Sequence, residues 1–255
     1  MVVRALGSLA VTVDGVPVED ASWPTAARRL FELLLSLPGS HATAQEAAAH
    51  LWPRHLPRSA LNSFNVALHG LRRVLQPDMR AGGDSRYVVR QGRLYRLALD
   101  EIACDADDFS RLVTRTSLPL EDDAAQRLET AVALYHGEFL ATSSEGFAEQ
   151  RRGRLRHLWL EALERLGEWH GQAGRAGQAL HAFNRMLEQS PQREDVWARV
   201  LELHLSVGDE YGALAALQRC EQSLAAAGIE PSGLLRELHR RVRREAPPPP
   251  DPKDA

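Results

Sequence analysis

Residues 58–75 show a periodic pattern of apolar and polar side chains that predicts an amphipathic helix. The apolar members follow one another at intervals of three or four, which places them on one stripe for a core to bury: Leu61, Phe64, Leu68, Leu71 and Leu75. The rest of the helix surface carries amide, imidazole, guanidinium and small groups: Asn62, Asn65, Val66, His69, Gly70, Arg72 and Arg73. Asn can bond adenine at two positions, Arg can bond guanine, and a small apolar group can contact the thymine methyl. This helix is therefore either a DNA reader or a solvated helix whose outer face is simply polar.

The residues before this helix predict a small β-sheet and then a helix. The segment 2–18 alternates imperfectly between apolar and polar positions, and Asp14-Gly15 is a turn signal between two β-prone runs. Thr25 is expected to cap the helix, and Pro38-Gly39 is expected to stop it. The leucines expected to face the core from this helix are Leu30, Leu33, Leu34 and Leu37.

A second helix and a hairpin complete the pattern of the first hundred residues. Thr43 and Glu46 have the spacing of a capping box for a helix that ends near Trp52-Pro53. Residues 87–97 predict two short strands around Gln91-Gly92. The arginines that flank the tip of this hairpin are Arg90 and Arg93. The order strand, helix, helix, helix, hairpin is that of a winged helix.

From Asp105 onward the period is helical, and a 34-residue repeat emerges. Gln172-Ala173-Gly174 with Ala179 recurs as Ser206-Val207-Gly208 with Ala213. Three further pairs share the offset: Trp169 and Leu203, Leu166 and Val200, and Phe183 and Leu217. A glycine turn followed five positions later by a small residue suits stacked tetratricopeptide helix pairs, because the small side chain lets neighbouring helices approach. The other interpretation of two copies is coincidence.

The distribution of charge separates the two halves of the chain. The formal charge is −3 overall, but residues 1–99 hold twelve arginines and seven acidic residues and so carry +5, which leaves −8 for the rest. Such asymmetry is expected when one domain faces phosphate and the other does not. Because the excess is modest, we expect a moderate DNA affinity that is sensitive to salt. The basic run Arg151–Arg156 is expected to be a solvated helix face, with a second DNA contact as the alternative.

The sequence does not indicate an enzyme, a metal site or a membrane protein. Its 44% hydrophobic and 25% charged residues are typical of a soluble globular chain, without a secretory leader or a membrane-spanning apolar run, so we expect a cytoplasmic protein. Cys104 and Cys220 are expected to be buried free thiols of a reducing compartment. The histidines lack metalloprotease spacing, and no phosphate-binding loop or nucleophile elbow occurs. We therefore expect no cofactor, no metal and no catalytic residues.

Several short motifs occur in an order that is characteristic of one family. In the first half they are Leu6-Gly7, Trp23, Leu37-Pro38-Gly39, Leu51-Trp52-Pro53, Val66-Ala67-Leu68, Leu71–Leu75 and the hairpin 87–97. In the second half they are Asp105–Asp107 with Phe109, Leu134–Leu140, Leu160–Leu163, Pro191 with Arg193-Glu194, and Gly228–Pro231. Through these motifs the chain resembles, almost end to end, the SARP-type bacterial transcriptional activators. Members of that family join an OmpR-type winged helix to a helical bacterial transcriptional activator domain.

The resemblance implies that the helix at 58–75 enters the major groove and that the hairpin follows the adjacent backbone. It also implies promoter DNA with tandem direct repeats as the target, RNA polymerase as a partner, and a helical domain for dimerisation, regulation or contact with the transcription machinery. This chain departs from its relatives at Ala26-Ala27, where a basic pair is usual, and at Asn65 and Gly70, where Arg is common. The departures leave a second hypothesis open: a tetratricopeptide-like interaction scaffold with a vestigial winged helix.

We therefore predict an α+β winged-helix domain over 1–103, an all-α tetratricopeptide-like domain over 104–245 and a disordered Pro-rich tail over 246–255. The predicted function is that of a sequence-specific transcriptional regulator, specifically an activator, which binds double-stranded DNA. A homodimer is compatible with this prediction. The residues expected to read bases are Asn62, Asn65, Val66, His69 and Arg73. Those expected to contact phosphate are Arg28, Arg29, Arg58, Arg72, Arg90 and Arg93.

Overall fold

The computed structural model describes residues 1–80, 83–116 and 120–245, so the predicted tail at 246–255 lies outside the described residues. The strands are β1 (Val2–Arg4), β2 (Ala10–Val13), β3 (Val16–Pro17), β4 (His41–Thr43), β5 (Val88–Gln91), β6 (Leu94–Leu97) and β7 (Ala103–Cys104). The helices are α1 (Thr25–Ser36), α2 (Ala44–Leu51), α3 (Pro57–Leu75), α4 (Asp105–Thr114), α5 (Asp122–Leu134), α6 (Glu149–Gln172), α7 (Ala176–Gln189), α8 (Glu194–Ser206), α9 (Glu210–Ala227) and α10 (Gly233–Glu245).

The first sheet has the strand order β3-β2-β1-β7. β1 runs antiparallel to β2 and parallel to β7, with Val3 opposite Cys104. Asp14 and Gly15 form the turn between β2 and β3 with φ angles of 47° and 84°, which confirms the predicted turn. The carboxylate of Asp105, the first residue of α4, accepts hydrogen bonds from the backbone N–H groups of residues 5 and 6 at 2.8 and 3.2 Å. The first strands are therefore held by residues that follow them by about a hundred positions.

The second sheet has the antiparallel order β4-β6-β5, and α1, α2 and α3 precede its hairpin in the chain. This order confirms the predicted winged helix. The hairpin β5–β6, called the wing below, turns at Gly92-Arg93, one residue later than predicted, and Gly92 has a φ of 63°. The left-handed conformation at Gly92 suits a residue without a side chain.

The two predicted helix caps have different outcomes. At α2 the backbone N–H of Glu46 donates to Thr43 Oγ1 at 3.1 Å, and the backbone N–H of Thr43 donates to Glu46 Oε2 at 2.8 Å, so the capping box is confirmed. The cap predicted at Thr25 is wrong, because α1 begins at Thr25 and Pro24 is its N-cap, without a side-chain hydrogen bond. The Pro24 carbonyl accepts the first helical bonds from residues 27 and 28.

The helices from α6 onward confirm the repeat predicted from the 34-residue offset. Gly174 and Gly208 adopt left-handed φ angles of 70° and 69° in the turns before α7 and α9. Ala179 and Ala213, the small residues five positions later, are both fully buried. Equivalent residues thus play the same structural role in two successive helix pairs, as a tetratricopeptide-like domain requires.

The described residues form two compact units, one made of 1–115 with 130–159 and the other of 116–129 with 160–245. The first unit thus contains the winged helix together with α4 and the beginning of α6. The predicted domain boundary at residue 103 stays a prediction.

The basic run Arg151–Arg156 is only partly solvated, which corrects its prediction as a solvated face. Arg152 is 8% exposed and donates hydrogen bonds to the carbonyls of Phe139, Leu140 and Ser143 at 2.9, 3.0 and 3.0 Å. Arg151 donates to the Leu35 carbonyl and to the Asp107 carboxylate. The partners are loop carbonyls and residues distant in sequence, so the local charge pattern gave no sign of them.

Candidate nucleic-acid interface

The exposed side of α3 is a continuous stripe of side chains with helical spacing. Asn62, Val66, His69 and Arg73 follow one another at intervals of four, three and four, and Asn65 lies beside Val66. All five are exposed, and Val66 remains 72% exposed although it is apolar. We call this set the reader face. Arg58 extends the stripe by one turn toward the start of α3, is exposed, and has no ion pair or hydrogen bond among the described residues.

The opposite side of α3 is buried and fixes the helix against the wing. Phe64 is 1% exposed, and its ring meets that of Tyr95 on β6 edge-on, with centroids 5.1 Å apart. Arg72 Nη2 donates a hydrogen bond of 3.0 Å to the Val88 carbonyl on β5. These contacts join the helix to both wing strands, so the reader face and the wing are positioned together.

Gly70 is half-buried against α1 instead of fully exposed, which corrects its predicted place beside the readers. A Cβ atom at Gly70 would lie 3.4 Å from the Cβ of Ala27 and 3.6 Å from Cγ of Pro24. Ala27 itself is fully buried. The two small residues therefore let α1 and α3 approach each other, and the structure accounts for Gly70 as a packing residue.

The wing carries two exposed arginines. Arg90 lies on β5, where its Nε donates to the Gly92 carbonyl at 3.1 Å and its guanidinium lies 5.8 Å from the centroid of the Tyr95 ring. Arg93 lies in the turn itself and has no ion pair or hydrogen bond within the part of the chain that the structure describes. The hairpin tip thus presents positive charge that no acidic side chain within residues 1–80, 83–116 and 120–245 pairs with.

Two of the other predicted phosphate contacts are engaged in ion pairs within the protein. Arg28 donates to Asp20 at 2.8 Å and to the buried Glu32 at 3.1 Å. Arg29 binds both carboxylate oxygens of Glu145, at 2.6 and 3.1 Å, and also donates to a backbone carbonyl. With Arg72 bound to the wing, three of the six predicted phosphate contacts have protein partners that occupy their guanidinium groups.

A groove beside the reader face was not foreseen from the sequence. It has a volume of about 830 Å³ and is lined by His69, Arg73 and the hairpin β2–β3, including the 68% exposed Val16. The acidic residues Asp14 and Asp78 also line it. The alternation of residues 10–18 predicted a hairpin, but no local signal indicated that this hairpin would flank α3.

The described residues give no indication of a metal site or of a membrane-spanning helix. Within residues 1–80, 83–116 and 120–245 no group of three or more His, Cys, Asp or Glu side chains is placed to hold a metal ion. None of the helices in those ranges combines the length and apolar character that crossing a bilayer requires.

Comparison with known proteins identifies the helical part of the chain. Residues 104–243 match the bacterial transcriptional activator domain. The transcriptional regulatory protein EmbR of Mycobacterium tuberculosis is 26% identical over 250 residues, which cover 95% of this chain and 63% of EmbR. The regulatory protein AfsR of Streptomyces coelicolor is 27% identical over 224 residues, which cover 86% of this chain and 22% of AfsR. The chain therefore spans less than two thirds of the length of these relatives.

The fold has a solved counterpart as well. The structure of Mycobacterium tuberculosis EmbR in complex with a low-affinity phosphopeptide superposes with a TM-score of 0.71 at 25% sequence identity. The match covers 97% of this chain and 66% of that one, so it includes the winged helix in addition to the helical domain.

Proposed function

We propose that this chain, which belongs to the SARP-type family of bacterial transcriptional activators, binds specific DNA sequences through α3 and the wing. In this proposal α3 lies in the major groove and the wing follows the neighbouring backbone. The role is that of a regulator without catalytic activity of its own.

The observation that carries the proposal is the division of α3 into two sides. Every side chain assigned to base reading is exposed, whereas the apolar stripe is buried or half-buried and Arg72 is bound to the wing. The exposed set offers two amides, an imidazole, a guanidinium and an isopropyl group, which match the donors, acceptors and methyl groups of the major groove.

We assign the phosphate contacts to Arg58, Arg90 and Arg93. All three are exposed, and they lie at the start of α3 and on the wing, where they bracket the reader face. We leave out Arg28, Arg29 and Arg72, because they are half-buried and breaking their internal contacts to reach phosphate would cost the protein those interactions. Arg90 also has an internal hydrogen bond, but it uses only Nε and leaves the exposed end of the guanidinium for phosphate. Three phosphate contacts predict a shallower salt dependence than six would give.

The sign of regulation and the partners are inferred from the family. We propose activation of transcription in the cytoplasm, contact with RNA polymerase, and a homodimer on DNA that contains repeated half-sites. The named relatives are transcriptional regulators, which supports a regulatory role for this chain.

The interaction scaffold with a vestigial winged helix is the weaker hypothesis. It depended on Gly70 and Ala26-Ala27 as lost DNA contacts, yet Gly70 and Ala27 pack against each other between α1 and α3. Their small size therefore has a structural reason that does not require loss of DNA binding.

The test is a selection of genomic DNA fragments with the full chain, followed by fluorescence anisotropy of the enriched sequence and of a shuffled version. We expect specific binding tighter than non-specific binding by at least about 10³-fold, with a linear dependence of log affinity on log salt. A matched control is Asn65→Ala against Gln45→Ala, since Gln45 is exposed on α2 outside the reader face. A selection that enriches nothing, or equal affinity for both DNAs, would contradict the proposal.

A further inference from the structure

A small cavity in the first compact unit lies away from the reader face. It has a volume of about 200 Å³ and is lined by the end of α1 and the turn after it, by α4, and by the first turns of α6. Its wall combines polar residues, among them Ser40 and Ser110, with the apolar residues Leu37 and Leu155. Such a concave site, with an apolar wall and a few converging polar groups, is the usual form of a small-molecule site.

The charged groups lining this cavity are Asp107, Arg151 and Arg154, which leave one positive charge in excess. Arg151 is fixed, because it donates to the Leu35 carbonyl and to Asp107 Oδ1 and lies 4.9 Å from the centroid of the Phe139 ring. Asp107 thus balances Arg151. Arg154, one turn further along α6, also lines the cavity but has no ion pair or hydrogen bond with any residue the structure describes. One cationic group therefore remains available to a ligand.

The turn after α1 forms part of the cavity wall and has an unusual backbone conformation. Gly39 and Ser40 both adopt left-handed backbone conformations, with φ angles of 67° and 53°. A left-handed conformation is uncommon for serine. Ser40 is only 2% exposed and lines the cavity. The backbone N–H of Ser40 donates to the Leu37 carbonyl at 2.9 Å, and Arg151 has its own partners, so these parts of the wall are held without a ligand.

We propose that this cavity binds a small organic anion, with a carboxylate or phosphate group held by Arg154 and a short apolar body against Leu37 and Leu155. The guanidinium supplies charge-assisted, bidentate hydrogen bonds to such a group. Ser110 also lines the cavity and offers a hydroxyl group for a further polar contact, whereas the Ser36 hydroxyl donates to the Glu32 carbonyl at 2.7 Å. Neither the DNA-binding proposal nor the family assignment depends on this site, and it is measurable without DNA.

The volume limits the ligand to roughly ten heavy atoms, so an affinity on the order of 1 mM is expected for an unoptimised probe. Benzoate and phenyl phosphate match this size and carry the two candidate head groups. Benzyl alcohol has the same apolar body without the charge.

The experiment is a titration of the full chain with each probe, followed by backbone amide NMR shifts. We expect saturable shifts for at least one anion at residues 36–40 and 150–155, and none for benzyl alcohol. Preference between benzoate and phenyl phosphate identifies the head group. Arg154→Gln should weaken binding about tenfold or more, since it removes the charge and the bidentate contact.

The matched control is Arg156→Gln, which removes another exposed arginine of α6 that pairs with Glu138 outside the cavity. It should leave the probe affinity within about twofold of the original. Ser110→Leu offers an independent test, because it fills the cavity without changing its charge, and it should also abolish binding. The inference is overturned if no probe gives saturable shifts at tenfold above the expected dissociation constant. It is also overturned if benzyl alcohol binds as well as the anions, or if the two arginine variants behave alike.

Discussion

Gly70 on α3 faces Ala27 on α1 so closely that a Cβ added to the glycine would lie 3.4 Å from the Cβ of the alanine. That distance is an ordinary contact, so the crossing tolerates one methyl group but little more. The recognition helix is thus held from behind by small residues, and its reader face is free of this packing.

Replacing Gly70 with alanine should raise the free energy of unfolding by up to about 1 kcal/mol, because alanine favours the helix and its methyl group fits. Gly167→Ala on α6 should do the opposite, since its Cβ would lie 2.7 Å from the ring of the buried Phe183. We expect a loss of about 1–3 kcal/mol there. Urea denaturation of both variants provides the comparison, and a larger loss for Gly70→Ala than for Gly167→Ala would contradict the packing described.

Arg73→Ala and Arg93→Ala should weaken DNA binding in different ways. Arg73 lies on the reader face, and its loss should cost about 1–3 kcal/mol on the selected sequence, with little change on shuffled DNA. Arg93 lies at the wing tip, and its loss should weaken both DNAs alike and reduce the salt slope by about one. Anisotropy titrations over a salt series separate these effects. The same loss on both DNAs for each variant would show that the division into base and phosphate contacts is wrong.

Arg152→Ala should destabilise the first compact unit. The guanidinium donates to three backbone carbonyls while it is only 8% exposed. Its removal leaves the Phe139 and Ser143 oxygens without this donor, whereas the Leu140 oxygen keeps the backbone N–H of Ser143 at 2.9 Å. We expect a loss of about 3 kcal/mol in thermal or urea unfolding. Arg154→Ala, two positions further on and exposed, is the control and should change stability by less than about 0.5 kcal/mol. Similar losses for the two variants would refute the structural role of Arg152.

The imidazole of His170 should make stability depend on pH near neutrality. Burial lowers the pKa of His170, and the charge of Arg175 lowers it further, against the opposing effect of Glu129 at 3.3 Å. The unfolded chain therefore takes up this proton first as the pH falls below about 6.5. Its stabilising contribution is complete above that pH and declines as the pH falls toward the lower pKa of the folded state.

Thermal unfolding at about pH 7.5 and about pH 5.5 measures this effect, because the two values bracket the usual pKa of histidine. His170→Gln should lose less stability between the two conditions than the original chain, whereas His181→Gln, at an exposed position, should behave like the original. Burial lowers the pKa of His239 as well, so part of the pH dependence persists in both variants. An unchanged pH dependence in His170→Gln would refute the assignment.

The two thiols should be unreactive while the chain is folded. Cys104 is 2% exposed and Cys220 is fully buried, and burial raises the pKa of each to about 12. Almost no thiolate therefore exists at neutral pH, and a thiol reagent cannot reach either sulfur atom. Reaction with a chromogenic disulfide should be slow in buffer and complete at both cysteines in denaturant. An exposed cysteine introduced by Ser8→Cys should react at once and serves as the positive control. Rapid reaction of the original folded chain would contradict the burial.

The features that could be predicted from the sequence are those with nearby determinants. The capping box of α2 depends on Thr43 and Glu46, three residues apart, and it occurs as predicted. The turns at Gly174 and Gly208 follow from a repeat that is visible along the chain. The buried stripe of α3 follows from the same local periodicity, which also separated its exposed residues from its core residues except at Gly70 and Arg72.

The features that escaped prediction depend on partners distant in sequence. Arg29 lies in a helix that reads as amphipathic, but its partner Glu145 comes 116 residues later. Arg151 is bound to the Leu35 carbonyl across the same separation. A basic residue that is exposed on an isolated helix can thus be neutralised by a segment that no local pattern connects to it. For this reason the sequence did not show that Arg28, Arg29 and Arg72 have protein partners, whereas the exposure of the base-reading residues was predicted correctly. Which residues contact DNA stays a prediction.

The parallel pairing of β1 with β7 also has a consequence for the synthesis of the chain. Val3 emerges from the ribosome first, but its neighbour Cys104 follows only after about 5–20 s at the usual rates of translation. The bond between the carbonyl of Ala5 and the N–H of Leu140 must wait longer still. The N-terminal strands therefore spend seconds with an incomplete sheet whose edge is open to other chains. The pairing of the first five residues is therefore a late step in the folding of the newly synthesised chain.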